Sequence, residues 1–389
     1  MIITKIHVYV LRSPLETPFA FSQGWVKQRC ATLVEIETSE GITGWGEAFS
    51  QGLEPPEISA AVITHALAPL IVGKNPLDCE VLWHEMYQRT RDYGRKGSVM
   101  AAISAIDMAL WDIMGTYFQV PCCQLMGGSF RSSVEPYATG FYRIHGQGEA
   151  TRLADEAIRH HSNGYRFMKV KLGFGLDDDI AVMDAIRQAL DGKDVTMMVD
   201  TNHGYGYREA RKLGEYLSEC NLRWYEEPLA PEDYKGYARL RSELNVAIAG
   251  GENEHGLYGF QQLFMHNAVD IAQPDLGSCG GLTALRHIIT LAQAHGVSVN
   301  PHVWGSAVAQ AASLQAIASV PHAHYQLFPL EPIFEFDQSD HPFRQDLVDH
   351  ALVRNENGWL DIPIRPGLGL VINRDCLKHF TTASHTIGG

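Results

Sequence analysis

The feature that most constrains the fold is a strand–helix rhythm that begins after about residue 128. Eight short apolar runs predict strands, over residues 134–140, 167–172, 195–200, 222–227, 246–252, 269–275, 297–302 and 325–331. Most of the intervals between them have the length of a helix with its loops, and residues 180–190 show helical periodicity. Eight such units predict an α/β fold of the (β/α)₈ barrel type and favour it over an open, doubly wound sheet.

The residues before this rhythm show a different pattern. Strand signals at 2–11, 31–38 and 42–48 come before a long stretch of helical periodicity. In that stretch, apolar residues recur at spacings of three and four, at Val99, Ile103, Ile106, Leu110 and Ile113. Strands followed by helices predict an α+β domain over residues 1–128, ahead of a barrel over 129–340. The tail, 341–389, is long for a loop, and we expect it to pack back on the first domain.

The charge balance limits the partners of the chain. Lys and Arg number 31 against 45 Asp and Glu, so the net charge is −14 with histidine neutral. This acidity argues against a nucleic acid or a membrane surface as partner, because both require clustered basic residues. The seven cysteines form no Cys-x-x-Cys pair, and the sequence shows neither a signal peptide nor a membrane-spanning run. We expect a cytoplasmic protein, and a homo-oligomer whose size the sequence leaves open.

Charged residues close the predicted strands from the second onward. In chain order they are Lys169 with Lys171, Asp200, Glu226, Glu252, Asp275, His302 and Glu331. A charge at the end of an apolar strand is costly to bury unless it is paired or binds a metal. Because the carboxyl ends of all barrel strands meet at one mouth, where catalysis takes place in such folds, these residues predict a single site.

Three of these residues form a candidate metal site. Asp200, Glu226 and Glu252, called the acidic triad below, end three successive strands. Neighbouring strands lie about 4.8 Å apart, so the three carboxylates can share one cation and leave positions open for a substrate. Oxygen ligands without cysteine favour Mg²⁺ over zinc. The sequence therefore predicts a magnesium site.

Two further groups suggest acid–base chemistry. Lys169 and Lys171 are two residues apart on a strand and point to the same face. Their mutual repulsion beside a cation predicts a lowered pKa for at least one of them, as a general base requires. Asp275 and His302 end consecutive strands, and the carboxylate is expected to fix the imidazole tautomer and favour its protonated form. We call these two residues the histidine–aspartate pair.

The strand-end residues stand in short motifs that follow one another along the chain: Lys169-Val170-Lys171, Asp200-x-Asn202, Glu226-Glu227-Pro228, Gly250-Gly251-Glu252, Gln273-Pro274-Asp275, Asn300-Pro301-His302 and Glu331-Pro332. Gly44-Trp45-Gly46-Glu47 and residues 105–112 precede them. Over nearly the whole chain, these motifs resemble the enolase superfamily, mandelate racemase subgroup. The resemblance implies a modified TIM barrel with an N-terminal capping domain, which the C-terminal tail joins.

The resemblance also implies roles for the residues. The acidic triad would bind Mg²⁺, and Lys171 and the histidine–aspartate pair would be the acid–base catalysts. Lys169, Asn202 and Glu331 would hold or polarise a substrate carboxylate. The α-proton of that carboxylate would be abstracted through an enediolate, and Glu331 would donate to it only if protonated, which a crowd of buried carboxylates favours. The capping domain would contribute specificity but no acid–base group.

Several segments resemble the acid-sugar enzymes of that subgroup and predict a small sugar acid as substrate: 137–140, 171–175, 202–205, 302–305 and 331–344. Candidate substrate-binding side chains are Asn202, His203, Tyr142 and Trp304. After proton abstraction, loss of hydroxide is dehydration, loss of a lactone ring oxygen is cycloisomerisation, and reprotonation is racemisation. The alternatives left open are a racemase or epimerase of a 2-hydroxy acid or amino-acid derivative, and an inactive barrel that binds a sugar acid.

Overall fold

The computed structural model describes residues 1–322 and 326–389. Its strands are β1 (Ile3–Phe21), β2 (Gly24–Thr38), β3 (Thr43–Ala48), β4 (Ser133–Val134), β5 (Pro136–Thr139), β6 (Phe167–Lys171), β7 (Thr196–Asp200), β8 (Tyr225–Glu226), β9 (Ile248–Gly250), β10 (Ile271–Ala272), β11 (Ser298–Val299), β12 (Phe334–Asp337), β13 (Leu360–Asp361) and β14 (Thr381–Gly388). Its helices are α1 (Glu57–Val62), α2 (Ala68–Ile71), α3 (Cys79–Thr90), α4 (Ser98–Phe118), α5 (Cys122–Leu125), α6 (Ala150–Ser162), α7 (Leu176–Ala189), α8 (Tyr207–Leu217), α9 (Tyr234–Glu243), α10 (Gly256–Met265), α11 (Gly281–Ala294), α12 (Ala307–Ala318), α13 (Pro342–Gln345) and α14 (Arg374–Phe380). A π-helical turn, Ile63–Leu67, joins α1 to α2.

The N-terminal part is built on an antiparallel sheet of four strands, in the order β14-β1-β2-β3. β1 and β2 form a hairpin that is longer than the predicted strands, because pairing continues to its tip at Phe21 and Gly24. β14 comes from the C-terminal tail and pairs with β1. Both ends of the chain therefore contribute to one sheet.

Helix α4 packs directly on β3. A Cβ atom on Gly44 would lie 2.2 Å from the carbonyl oxygen of Ala109, and one on Gly46 would lie 1.8 Å from that of Ala105. Glycine at these two positions is what lets the strand approach the helix backbone. α4 is long and apolar enough to cross a membrane, but 89 % of its apolar stretch is buried inside the protein. It is the core helix of the N-terminal part.

The second sheet has eight parallel strands, in the order β11-β10-β9-β8-β7-β6-β5-β12, and a helix follows each strand from β5 to β11. The predicted fold class is confirmed. Side chains connect the two ends of the curled sheet: Asn300 Oδ1 accepts the Ile333 N–H at 2.8 Å, and Glu335 Oε2 accepts the Val303 N–H at 3.1 Å. Strand ends that carry charged side chains thus converge on one mouth.

The eighth strand is not where the sequence predicts it. The prediction was 325–331, of which Tyr325 lies outside the described residues, and 326–331 form no strand. The eighth strand is β12, which pairs with β5 in the register Glu335↔Tyr137 and Asp337↔Thr139. Leu327 and Phe328, which suggested a buried strand, are 86 % and 85 % exposed. Their hydrophobicity is typical of a strand, but the segment that pairs with β5 begins further along the chain, at Phe334.

Candidate active site

The acidic triad lies where the sequence predicts it. Asp200 and Glu226 end β7 and β8 and stand opposite each other in the strand register, and Glu252 follows β9. One carboxylate oxygen from each residue lies within 4.8 Å of the others, and all three side chains are buried. Parallel pairing of three successive strands thus brings together three residues that are 26 positions apart in the sequence.

Neighbouring side chains fix the direction of these carboxylates. Glu226 Oε2 accepts hydrogen bonds from Trp224 Nε1 at 2.8 Å and Gln273 Nε2 at 2.7 Å. Asp200 Oδ1 accepts the N–H of Asn202 at 2.7 Å. Burial raises the pKa of Glu226 to about 7, with a further contribution from the Asp200 charge that opposes the effect of Lys169. The negative charge of the carboxylates in the site therefore exceeds the positive charge of the side chains around them.

Lys169 lies at the centre of this charge and is fully buried. Its Nζ atom is 2.6 Å from Glu226 Oε1, 2.8 Å from Glu335 Oε1 and 3.7 Å from Asp200 Oδ2. Burial alone would lower the pKa of Lys169, but the Glu226 and Glu335 carboxylates raise it well above its usual value. Lys169 is thus a fixed positive charge beside the triad.

Lys171, two residues further along β6, has a different set of contacts. Its Nζ atom donates to Asp200 Oδ2 at 2.5 Å and to Asn202 Oδ1 at 3.0 Å. The sequence predicts a lowered pKa for one of the two lysines, and the structure shows the opposite direction for both. Burial and Lys169 lower the pKa of Lys171, but the charges of Asp200, Glu252 and Glu226 together outweigh them and raise it. Repulsion between the two lysines lowers their pKa, but each lysine also has carboxylate partners, whose charge is the stronger influence.

The histidine–aspartate pair is formed as predicted. His302 Nδ1 donates to Asp275 Oδ2 at 2.8 Å, and the two residues form a parallel bridge beyond β10 and β11. On its other side, His302 Nε2 lies 3.1 Å from Glu252 Oε2. Burial lowers the pKa of His302, but Glu252, Glu335 and Asp275 together raise it to about 10. The direction of this shift agrees with the expected protonated imidazole.

The prediction that Glu331 belongs to the site is wrong. Glu331 is exposed and pairs with His322 at 2.6 Å and Arg131 at 3.1 Å. It lies near Ile271 and Ser298, at the amino ends of β10 and β11 and not at the carboxyl ends. Glu335, on β12, lies at the position in the mouth that the sequence predicts for Glu331. It contacts Lys169 and the hydroxyl of Thr139, the latter at 2.8 Å. A usable signal was present in residues 334–337, where two phenylalanines alternate with two acidic residues, as on a strand with one polar face.

The charge state of Glu335 also differs from the one predicted for Glu331. A crowd of buried carboxylates predicts a protonated carboxyl at this position. Burial does raise its pKa, but the positive charges of Lys169 and His302 outweigh this effect and hold the pKa well below its usual value. Glu335 is therefore an ionised acceptor that orients Lys169.

A small cavity lies beside these groups. Of the described residues, those that line it are Phe21, Gln51, Tyr142, Lys171, Asn202, Glu252, His302 and Trp304. Three of the four predicted substrate-binding residues are among them. The fourth, His203, is half-buried and is not; its backbone N–H donates to the carbonyl oxygen of Glu227 at 2.8 Å. Two of the lining residues, Phe21 and Gln51, come from the N-terminal part.

The triad has the properties of a site for a hard divalent cation. All of its donors are carboxylate oxygens, which Mg²⁺ prefers. Glu252 Oε2 is buried and accepts no hydrogen bond from the described residues, because its contact with His302 Nε2 at 3.1 Å is an ion pair without hydrogen-bond geometry. Together with Glu335, the triad places four carboxylates around two lysines. A divalent cation would balance this excess charge, so the residues fit Mg²⁺.

An eight-stranded parallel barrel with such a triad between two acid–base groups has the architecture of a metal-assisted proton-transfer enzyme. Residues 152–376 match the family described as enolase C-terminal domain-like. Residues 5–127 match the N-terminal domain of the mandelate racemase and muconate lactonizing enzyme family. The chain belongs to the enolase superfamily, in the mandelate racemase and muconate lactonizing enzyme family.

Three relatives show which members of the family resemble this chain. D-galactarolactone cycloisomerase of Agrobacterium fabrum is 40 % identical over 380 residues, which cover 98 % of this chain and 99 % of the relative. The structure of the 3,6-anhydro-D-galactonate cycloisomerase from Zobellia galactanivorans has a TM-score of 0.88 at 38 % identity, covering 98 % of this chain and 100 % of the other. The L-talarate dehydratase from Polaromonas sp. JS666, complexed with Mg and L-glucarate, has a TM-score of 0.84 at 28 % identity, with coverage of 100 % and 99 %.

Proposed function

We propose that this protein is a Mg²⁺-dependent enzyme that removes the α-proton of a sugar-acid carboxylate and then eliminates a β-oxygen. The observation that carries the proposal is that Lys171, His302 and Glu252 line one cavity. An acid–base group on either side of a cation site is what proton transfer beside a carboxylate requires. The relatives named as cycloisomerases and as a dehydratase support this chemistry and the substrate class.

The positions of Lys171 and His302 support separate roles for them. Lys171 ends β6, and His302 follows β11. Going around the barrel in one direction, four strands (β7 to β10) lie between β6 and β11, and in the other direction two strands (β5 and β12) do. They therefore face the cavity from nearly opposite sides of the ring. We propose that Lys171 abstracts the α-proton, since a cation bound by Asp200 would offset the carboxylate charge that raises the pKa of this lysine. We further propose that His302, held by Asp275, acts as an acid toward the leaving oxygen or the product.

The remaining residues would bind and polarise the substrate. Mg²⁺, when bound by Asp200, Glu226 and Glu252, supplies positive charge next to the carboxylate as that carboxylate gains negative charge. Lys169 adds a fixed charge on the same side, since its amine is held within 2.8 Å of both Glu226 and Glu335. Preorganised charge of this kind stabilises the enediolate.

Further side chains are proposed to set the specificity of the cavity. Tyr142 and Trp304 line it, and their rings lie 5.7 Å apart in an edge-to-face contact. The Tyr142 hydroxyl donates to Asp337 Oδ1 at 3.1 Å, and this hydrogen bond restrains the ring. We propose these two residues and Asn202 as contacts for the hydroxyl groups of a sugar acid.

A screen of aldonates, aldarates and their lactones tests the function directly. Each compound is incubated with the enzyme in D₂O, with and without EDTA, and followed by NMR for α-proton exchange and for new products. We expect Mg²⁺-dependent exchange with at least one compound, together with a dehydrated or ring-opened product. Exchange with inversion and without elimination would identify a racemase or epimerase instead. A barrel that binds sugar acids but exchanges no proton would contradict the proposal.

One pair of variants tests the position of the catalytic glutamate. Glu335→Gln is expected to lower kcat by about 10–100-fold, the usual cost of losing a group that orients a metal site. Glu331→Gln is expected to leave kcat within about twofold, because surface pairs contribute little. Both rates are measured at saturating Mg²⁺ on the best substrate from the screen. Equal losses in the two variants would contradict the assignment of Glu335.

We also propose that the protein works in the cytoplasm and as a homo-oligomer. All seven cysteines are free and six of them are buried, which supports a reducing compartment. Light scattering of the purified protein measures the oligomer mass, and a single-chain mass of 43.2 kDa would contradict the second part of the proposal.

A further inference from the structure

Glu47 is a buried carboxylate of the N-terminal part that the proposed chemistry does not use. It lies near the end of β3 and is 1 % exposed. Its Oε1 atom accepts the N–H of Ser306 at 2.9 Å. Its Oε2 atom accepts the Ser306 hydroxyl at 2.5 Å and the N–H of Ala309 at 3.1 Å. A residue of the N-terminal part thus caps the first turn of a barrel helix, α12, whose free N–H groups and dipole favour a negative charge.

The capped turn is joined directly to the cavity. Residues 302–306 run from His302 through Trp304 to the start of α12, so fixing Ser306 fixes the end of this short segment. Packing leaves little freedom there. A Cβ atom on Gly305 would lie 2.7 Å from Glu47 Oε1 and 2.6 Å from the Cβ of Ala309. The contact between Glu47 and α12 therefore restrains the segment that begins at His302.

The same segment of the N-terminal part also contacts the other half of the histidine–aspartate pair. The N–H of Phe49 donates to the carbonyl oxygen of Gly277 at 2.9 Å, and Asp275 Oδ1 accepts the N–H of Gly277 at 2.7 Å. The Phe49 ring makes an edge-to-face contact with the His302 ring, at 5.9 Å between centroids. Residues 47–49 thus hold both loops that carry the pair.

We propose that Glu47 is a positioning residue that sets the geometry of the His302–Asp275 hydrogen bond through the N-terminus of α12. Its effect on catalysis rests on the function proposed above, whereas its effect on the hydrogen bond does not. The N-terminal part would then contribute to acid–base chemistry as well as to specificity. It does so without placing an acid–base group of its own in the cavity.

Asp112 provides a matched control within the same part of the chain. It is also a buried carboxylate, and it accepts the backbone N–H groups of Trp45 at 2.9 Å and Leu368 at 2.8 Å. These contacts join α4 to β3 and to the tail, and among the described residues Asp112 makes no hydrogen bond to 275–279 or 302–309. Asp112→Asn therefore reports the general cost of losing a buried carboxylate.

The first measurement is kinetic. In Glu47→Gln, the amide nitrogen would face N–H groups that need an acceptor, so the first turn of α12 would shift. Misplacement of a catalytic group by about 1 Å costs on the order of 10²-fold, and we expect a kcat loss of about 10–100-fold. KM and the Kd for Mg²⁺ should stay within about twofold. Asp112→Asn should keep kcat within about twofold, and equal kcat losses in the two variants would overturn the proposal.

The second measurement is independent of turnover. The Nδ1 proton of His302 is hydrogen-bonded to a carboxylate and should give a low-field NMR resonance, which is assigned by its loss in His302→Asn. We expect this resonance to shift or broaden in Glu47→Gln and to be unchanged in Asp112→Asn. An unchanged resonance in Glu47→Gln would overturn the proposal. An enzyme that turns over no sugar acid would instead refute the proposed function and leave this test valid.

A third variant removes the contact from the barrel side and guards against misfolding of Glu47→Gln. Ser306→Ala deletes the hydroxyl that donates to Glu47 and that also accepts the N–H of Val308 at 3.1 Å. It should produce the same change in the His302 resonance. In the double variant Glu47→Gln/Ser306→Ala, the loss in kcat should be well below the product of the two single losses. Losses that multiply would show that Glu47 acts by another route and would overturn the proposal.

Discussion

Replacing Lys171 with alanine is expected to abolish both turnover and exchange of the substrate α-proton with D₂O. His302→Asn is expected to abolish turnover but to leave residual exchange. The reason is that the two side chains face one cavity from strands nearly opposite in the ring, so each serves one side of the substrate. Loss of a positioned acid or base lowers the rate about 10²–10⁴-fold, and we expect the turnover of each variant to fall by a factor in that range.

The measurement separates the two steps by following the α-proton resonance and product formation in the same sample. Glu331→Gln, a substitution outside the site, serves as the control. Exchange that persists in Lys171→Ala but disappears in His302→Asn would reverse the two roles. The α-carbon of the substrate would then have the opposite configuration, since its proton would face His302.

Glu226→Gln is expected to abolish activity because it weakens Mg²⁺ binding. Glu226 is the central residue of the triad, and its two oxygens are already held by Lys169, Trp224 and Gln273. A neutral amide offers one weak oxygen ligand in place of a carboxylate, so Mg²⁺ affinity should fall by more than the roughly 10–100-fold that loss of an orienting neighbour costs. Calorimetric titration with Mg²⁺ measures this loss directly.

Chelation provides the matching experiment on the unaltered enzyme. Exhaustive treatment with EDTA should eliminate both proton exchange and turnover, and added Mg²⁺ should restore them. Glu331→Gln should bind Mg²⁺ as the parent does. Full turnover after chelation would contradict the metal requirement, and full Mg²⁺ affinity in Glu226→Gln would contradict the assignment of the triad.

Most of the charged residues at the barrel mouth could be predicted from the sequence because the signal for each of them is local. A short apolar run that ends in a charged residue predicts a strand end, and parallel strands of a barrel all end at the same mouth. That reasoning suffices for the acidic triad, for the two lysines of β6 and for the histidine–aspartate pair, whose side chains the structure brings together.

Such reasoning does not choose the eighth strand, because residues 325–331 and 334–337 both carry strand signals. The apolar residues before Glu331 are typical of a strand, yet the backbone pairs with β5 only from Phe334 onward. Which run becomes the strand depends on pairing with a segment about 200 residues earlier, at Pro136, and a single run of apolar residues does not encode its partner. The choice between Glu331 and Glu335 was therefore made by tertiary structure.

The sequence by itself determined the fold class, the first seven strands of the barrel and the identity of most charged residues at the mouth, because period and spacing are properties of the chain. Tertiary structure alone decided the charge state of those residues and what holds them. The pKa of Lys171 is raised because Asp200, on the neighbouring strand, lies 2.5 Å away. The start of α12 is fixed by Glu47, more than 250 residues earlier in the chain. Electrostatic and hydrogen-bond energies depend on distance in space, and only folding sets those distances.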